Sequence, residues 1–406
     1  MKKLLILFIL VVPAIFCYQC SEDNNVLTGE KSDTDKSGYY LSDALGGGRE
    51  GGSGTSSGTG DGGDTIQQIP VEPGQITAAE WNDLLSWDFW NNLGQNQEFE
   101  TAKGNWNFFP SERYSFLIRD SRQRPVTDCE VRLKNIPGDV IWEARTDNEG
   151  KAELWLNLNG GIEDSPVAVV KYEDEELIIV DPIEFNNGVN EVILATDRSN
   201  LQKADILFVV DATGSMGDEI DYLKSELLDV IRKSELMNLQ LEMRTGAVFY
   251  RDEGDDYLTR VSAFTANPSQ TLAFIKDQEA NGGGDYEEAV HTALNTAITQ
   301  LSWSGSARAR LLFLLLDAPP HHTDAIVNDI NDAVQEAASK GIKIIPISAS
   351  GINKDTEFLF RFFATSTNGT YVFITDDSGI GGEHIEATVG EYEVELLNDL
   401  IVRLIT

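Results

Sequence analysis

Residues 206–215, Ile-Leu-Phe-Val-Val-Asp-Ala-Thr-Gly-Ser, constrain this chain more than any other stretch. Five consecutive apolar residues suit a parallel strand buried on both faces. The strand ends at Asp211, and Thr213 and Ser215 follow at alternate positions in a tight glycine turn. An amphipathic helix comes next, with Ile220, Leu223, Leu227 and Ile231 on one stripe. A carboxylate and two hydroxyls therefore gather at the carboxyl end of a strand, where open α/β sheets place their ligands. All three offer hard oxygens, which suit Mg²⁺ and similar cations.

Two further segments belong to the same site. Leu311–Leu316 reads as a strand ending in Asp317, followed by Ala-Pro-Pro-His-His. Before it, Gly282-Gly283-Gly284-Asp285 opens an expected helix with the apolar stripe Ala289/Val290, Ala293/Leu294, Ala297/Ile298 and Leu301. The arrangement resembles the von Willebrand factor type A domain and its metal-ion-dependent adhesion site. That family shows Asp-x-Ser/Thr-x-Ser after the first strand, Thr or Asp in a Gly-rich loop, and Asp after the fourth strand. The resemblance covers about 200 of the 406 residues, from near Leu201 to the C-terminus. It implies a Rossmann-like, doubly wound domain over 199–406. In it Asp211, Thr213, Ser215, Asp285 and Asp317 surround Mg²⁺ (or Mn²⁺ or Ca²⁺), and a ligand oxygen completes the shell. Asp285 stands where many members, integrin I domains included, present Thr. A third carboxylate should hold the cation more firmly and make it less electrophilic toward an acidic ligand.

Other polar residues fall near the same edge. His321 and His322 follow Asp317 by four and five residues, and Asp252 lies at the end of a strand-like run. All three are read as rim positions for a ligand. Adjacent histidines without cysteine or a second histidine pair are weak evidence for a zinc site. Asp376-Asp377-Ser378-Gly379 reads as a loop after the last strand.

From Leu201 onward apolar strands alternate with helices. The strands are Ile206–Val210, Leu311–Leu316, Ile344–Ile347 and Tyr371–Ile374, with an edge hairpin of Ala247–Tyr250 and Val261–Phe264. Helices are expected at Asp324–Lys340 and Tyr392–Leu404. Such alternation argues for a sheet with helices on both faces. Residues 111–198 switch to period-two alternation, as in Val131 and Leu133, Leu154, Leu156 and Leu158, and Val192 and Leu194, with turns at Pro137-Gly138 and Asp147-Asn148-Glu149-Gly150. This predicts a β-sandwich. Arg124-Pro125-Val126 with Thr146-Asp147 and Gly150 resembles carboxypeptidase regulatory-like or prealbumin-like modules, which implies a spacer or binding role. Cys129 alternates with Val131 and Leu133 and reads as a small buried hydrophobe. Residues 76–110 are rich in tryptophan (Trp81, Trp87, Trp90). Thr77 and Glu80 read as a capping box before a short helix docked on the following domain.

The N-terminus carries an export signature. Lys2 and Lys3 precede an apolar run from Leu4 to Phe16, a length that suits a signal peptide and not a membrane span. Cys17 and Cys20 follow. Cys20-Ser21-Glu22-Asp23 resembles a bacterial lipoprotein start, with an acidic run like the surface-export signal of one group of Gram-negative lipoproteins. The expectation is a signal over 1–20, lipid on Cys20, a Gly/Ser/acidic tether over 21–75, and a place on the outer membrane facing outward. Some 45 tether residues span roughly 35–40 Å by random-coil scaling.

A net charge of −36 repels phosphates, so nucleic acid is not an expected partner. The expected function is cation-dependent capture of a protein or peptide ligand, without bond chemistry. The enzyme alternative is a haloacid-dehalogenase-type phosphotransferase, because Asp211-Ala212-Thr213-Gly214-Ser215 comes near the nucleophile motif Asp-x-Thr-Gly-Thr. Against it stand the lack of a site-facing lysine on a late strand and the single acid ending Leu311–Leu316. An aspartic protease is excluded because Ala212 splits Asp-Thr-Gly and no second copy exists.

Overall fold

The computed structural model describes residues 71–160, 165–237 and 240–406, Asp218 by its backbone alone. The expectations for Cys17, Cys20 and the tether up to residue 70 lie outside the described residues. In chain order the elements are β1 (Thr77–Trp81), α1 (Trp87–Asn92), α2 (Gln97–Trp106), β2 (Arg113–Asp120), β3 (Glu130–Lys134), β4 (Val140–Arg145), β5 (Lys151–Trp155), β6 (Val167–Tyr172), β7 (Glu175–Val180) and β8 (Asn190–Leu194). There follow β9 (Lys203–Asp211), α3 (Ile220–Met237), β10 (Glu242–Tyr250), β11 (Thr259–Thr265), α4 (Pro268–Lys276), α5 (Val290–Asn295), β12 (Ala309–Leu316) and α6 (Asp324–Lys340). The last are β13 (Ile342–Ser348), α7 (Lys354–Ser366), β14 (Tyr371–Ile374), β15 (Val394–Leu396) and α8 (Leu397–Ile405).

The largest sheet runs β11-β10-β9-β12-β13-β14-β1-β15. Its centre, β10 through β14, is parallel, and β11 adds antiparallel to β10. Val209 and Val210 are both buried, as the continuous apolar run requires. Helices α3 and α8 cover one face, with Leu223, Leu227 and Ile401 in that core. Helices α5, α6 and α7 cover the other.

The first departure from the sequence reading is β1. Thr77–Trp81 is a strand and not the start of a helix. It pairs antiparallel with β14 on one side and β15 on the other. The two open edges satisfy its backbone groups, and Ala78 and Ala79 are small enough to fit between the helix layers. The local capping pattern loses to this long-range pairing. The α/β sheet therefore begins at residue 77, and the boundary at 199 is corrected. Residues 74 and 75, read as the end of a tether, are instead fixed to the sheet's helix layer. The backbone N–H groups of Gly74, Gln75 and Ile76 donate to the Glu226 carboxylate on α3, the first two at 2.8–2.9 Å and Ile76 at 3.2 Å. The terminal helix starts at Leu397 and not at Tyr392, because β15 precedes it.

The tryptophan-rich segment docks mainly on the large sheet's own helix. Asn96 caps α2 by accepting from Glu98 and Phe99 N–H. Phe99 packs edge-on to Phe358 at 5.2 Å, and Trp90 packs on Phe362 at 6.0 Å. Helix α7 is buried from Thr356 to Ser366 because α2 covers the side that the sheet does not.

Residues 113–194 form two small sheets, β5-β2-β8 and β4-β3-β6-β7. Their inward residues, among them Phe116, Ile118, Val131, Leu133 and Val170, share one buried cluster. Cys129 lies in it, its thiol pushed up to about 12 by burial. Arg310, just inside β12, makes a buried bidentate pair with Asp128 at 2.9 and 3.1 Å. Lys343, at the start of β13, bonds Asp147 at 3.1 Å. These attachments sit at the amino ends of the parallel strands, so the small sheets leave the carboxyl ends clear. A cavity of about 640 Å³ at that junction is lined by Arg113, Asp147, Glu153 and Lys343. Those four side chains are already engaged in ion pairs, at the end opposite the Asp211 carboxylate.

Candidate functional site

Strand β9 delivers Asp211 at its last residue, and its neighbour β12 is followed at once by Asp317. The connection from β9 runs through α3 to β10 on one side, whereas β12 lies on the other. The two acids thus flank the topological switch point, where a crevice opens beyond the strand ends. The loop 281–285 is tied onto the turn after β9: Gly214 N donates to Gly282 O at 3.1 Å and Asn281 N to Ala212 O at 3.0 Å. A Cβ on Gly214 would stand 2.9 Å from Gly282 O, so only glycine permits this approach.

Asp211 is fully buried. Its Oδ1 accepts from Thr213 N at 2.8 Å and from Thr213 Oγ1 at 2.7 Å, while Oδ2 lacks a partner in good hydrogen-bond geometry, with the buried Tyr250 hydroxyl beside the carboxyl. The Thr213 and Ser215 hydroxyls are 3.2 Å apart. Asp317 is 6% exposed, and its Oδ1 also lacks a partner. Burial pushes both carboxyls above the usual range, and their mutual repulsion adds to it in Asp317. The buried Tyr250 ring, at the end of β10, has its hydroxyl pushed up by burial and then by Asp211 and Asp317.

A further acid belongs here. Glu288 is 2% exposed and its Oε2 has no partner. Its N–H donates to Pro319 O at 2.9 Å, which fixes it beside the segment after β12. Burial, then Asp211, Asp252 and Asp317, push its carboxyl up to about 9. Nothing in Asp285-Tyr286-Glu287-Glu288 distinguishes this buried acid from its solvated neighbours, since the stretch is a loop without periodicity. The helix expected from Gly282–Asp285 begins only at Val290. Glu219, also missed, is buried beside Ser350, whose N–H donates to it at 3.2 Å.

The remaining sequence candidates separate. Asp285 is exposed, and its carboxylate shares a cluster with Asp252 and His321. Asp252 is 6% exposed and accepts from His321 Nε2 at 2.7 Å, so it is not a solvated turn residue. Burial opposes the charged imidazole, but the hydrogen bond to Asp252 and the charge of Asp285 leave His321 raised. His322 leaves the rim: its Nε2 donates to Asn105 O at 2.9 Å, and the ring stands edge-on to Trp106 at 4.9 Å.

The donor set fits a hard divalent cation. Buried carboxylate oxygens without partners on Asp211, Asp317 and Glu288 face one another's repulsion, and such orphaned groups call for an ion or water. Asp211, Thr213, Ser215 and Asp317 would hold the cation, which would supply a Lewis-acidic position for a ligand oxygen.

A von Willebrand factor A domain is found at residues 205–379. Two curated relatives match much the same share of the chain. An ariadne-like RING finger protein of Acanthamoeba polyphaga mimivirus is 27% identical over 194 residues, 43% of this chain and 18% of that protein. The alpha-protein kinase vwkA of Dictyostelium discoideum is 26% identical over 174 residues, 42% of this chain and 27% of that protein. The chain therefore spans well under a third of either relative's length. Among solved structures, the conserved hypothetical protein BatB of Bacteroides thetaiotaomicron aligns over 42% of this chain and 89% of its own, at 14% identity and a TM-score of 0.33. At that score the likeness carries no weight. Domains of the von Willebrand type generally bind proteins, often through a divalent metal.

Proposed function

We propose that this chain is a surface-anchored receptor that holds Mg²⁺ or Mn²⁺ at Asp211, Thr213, Ser215 and Asp317 and captures a protein or peptide through an oxygen on that cation. The observation that carries the reading is the convergence of these oxygens at the switch point, two of them buried carboxylate atoms without partners. The attachment of the small sheets at the opposite end supports it, because they do not cover the ligand face. No bond is made or broken in this role. The phosphotransferase alternative is not favoured: Lys224, the first lysine after the motif, donates to Gln278 O and pairs with Asp221 instead of serving Asp211. The kinase and RING finger names belong to proteins of which this chain matches 27% and 18%.

The anchor proposal places lipid on Cys20 and the protein on the outer membrane. Several acyl chains would hold it stably, where one holds only marginally. One experiment on cells tests anchor and capture together. Wild-type protein should fractionate with membranes and retain ligand in Mg²⁺ but not in EDTA. Cys20→Ser should release it, whereas Cys17→Ser should not, and Asp211→Ala should stay anchored without retaining ligand. Retention of ligand by Asp211→Ala would sink the capture reading; release by Cys17→Ser alone would move the anchor.

A further inference from the structure

We propose a second cation site beside the first, built from Asp252, Asp285 and His321, with the Glu288 carboxylate shared between the two. One ligand atom from each of the three residues lies within 4.8 Å of the other two. They arrive from three loops: Asp252 just after β10, Asp285 from the Gly-rich loop, and His321 from the segment after β12. Those loops are cross-braced. Asp255 Oδ2 accepts from Asp252 N at 3.1 Å and from Gly283 N at 2.9 Å, joining the first two. Glu288 bridges to Pro320, next to His321, joining the last two. The loops that carry the three residues are therefore braced against one another by the Asp255 carboxylate and a backbone bridge.

Two carboxylates and an imidazole differ in chemistry from the all-oxygen set at Asp211. Imidazole suits Zn²⁺ and other transition metals, Mn²⁺ accepts oxygen and imidazole ligands together, and an oxygen-only set suits Mg²⁺. The independent observation is Glu288. It is 2% exposed, one of its oxygens has no partner, and its backbone pairs with Pro320 beside His321. A Cβ on Gly283 would touch Glu288 Oε1 and Thr213 together, which places Glu288 alongside the first site as well. Charge argues the same way. Asp211, Asp252, Asp285, Glu288 and Asp317 together bring five carboxylates. Asp285 is exposed, but the other four are buried; one divalent cation offsets two of those four once ionised, and a second offsets the rest. The competing arrangement is a plain Asp252–His321 ion pair with no metal.

The inference rests partly on the first-site reading, so the test must separate them. The purified chain is equilibrated with Mn²⁺, desalted and assayed for bound metal, with and without competing Mg²⁺. Asp285→Ala serves as the main variant because Asp285 is exposed and its loss does not threaten the fold; His321→Ala is the second. Two Mn²⁺ per wild-type chain are expected, of which Mg²⁺ displaces one. Asp285→Ala and His321→Ala should each retain one, the Mg²⁺-sensitive one, with the other weakened at least about tenfold. One Mn²⁺ in wild type, whether or not the variants keep it, overturns the second site and leaves the first standing. No bound Mn²⁺ at all overturns both.

Discussion

Asp83→Ala is expected to destabilise the protein by about 3 kcal/mol, the lower part of the range for breaking a buried ion pair. Arg361 on α7 is fully buried, and Asp83 holds it bidentately at 2.9 and 2.6 Å. Without Asp83 the guanidinium keeps the Thr388 carbonyl at 2.7 Å and a longer approach to Glu357 at 3.5 Å. Those contacts hold the cost below that of an isolated buried charge. Asp83 also accepts from Trp81 Nε1 at 2.8 Å, so the same change loosens the end of β1. Urea unfolding measures the loss directly; a change under about 1 kcal/mol would mean that the pair does not bind the N-terminal segment to the sheet. By the same reasoning, a fragment starting at Leu201 should not unfold cooperatively. It lacks the strand between β14 and β15 and the cover of α7.

The second large effect is on pH dependence. In the metal-free protein Asp211, Asp317 and Glu288 all titrate above their unfolded values. Native carboxyls of this kind keep protons that the unfolded chain has already released. Stability therefore falls as pH rises from the unfolded carboxyl range, near 4, through the raised values, the highest about 9. His321, raised by Asp252, contributes in the same direction, because its stabilisation is lost as it deprotonates. Carboxyls that are lowered, such as Asp147, are ionised in both states above pH 5 and do not oppose this. Between pH 5.5 and 8.5 the metal-free chain should lose on the order of 4 kcal/mol or more, since one carboxyl kept protonated only in the folded chain costs about 1.4 kcal/mol per pH unit. Mg²⁺ should restore most of it at pH 8.5 and little at pH 5.5, where protons compete. Thermal melts in EDTA and in Mg²⁺ at both pH values check this; an Mg²⁺ effect equal at both would contradict it.

The parts of this fold that were legible in the sequence are those set by local burial. Strands β9, β12, β13 and β14 are continuous apolar runs because helices cover both faces. Helix α6 is bounded by its own signals, the Thr323 cap and Gly341 in the left-handed region at φ 67°. What could not be read depends on distant partners. Thr77–Trp81 has local helix-start chemistry and becomes a strand only because β14 and β15 offer it two edges. Asp252 and His321 are 69 residues apart and meet through the order of strands. Asp285 follows three glycines, and no spacing rule says which of two neighbouring clusters its side chain joins. Glu288 is an acid among acids, buried by the close approach of the segment after β12.

The most direct test of the account is Mg²⁺ binding to the purified chain by titration calorimetry, compared with Asp211→Ala. Asp211 is the buried acid at the centre of the first set, with one oxygen committed to Thr213 and the other without a partner. Its removal should weaken Mg²⁺ by at least about a hundredfold, since loss of mere supporting contacts around a metal already costs roughly 10–100-fold. Circular dichroism should show the variant folded. Equal Mg²⁺ affinity in the two proteins, or no Mg²⁺ binding by wild type, would contradict the claim that these oxygens form a cation-dependent binding site.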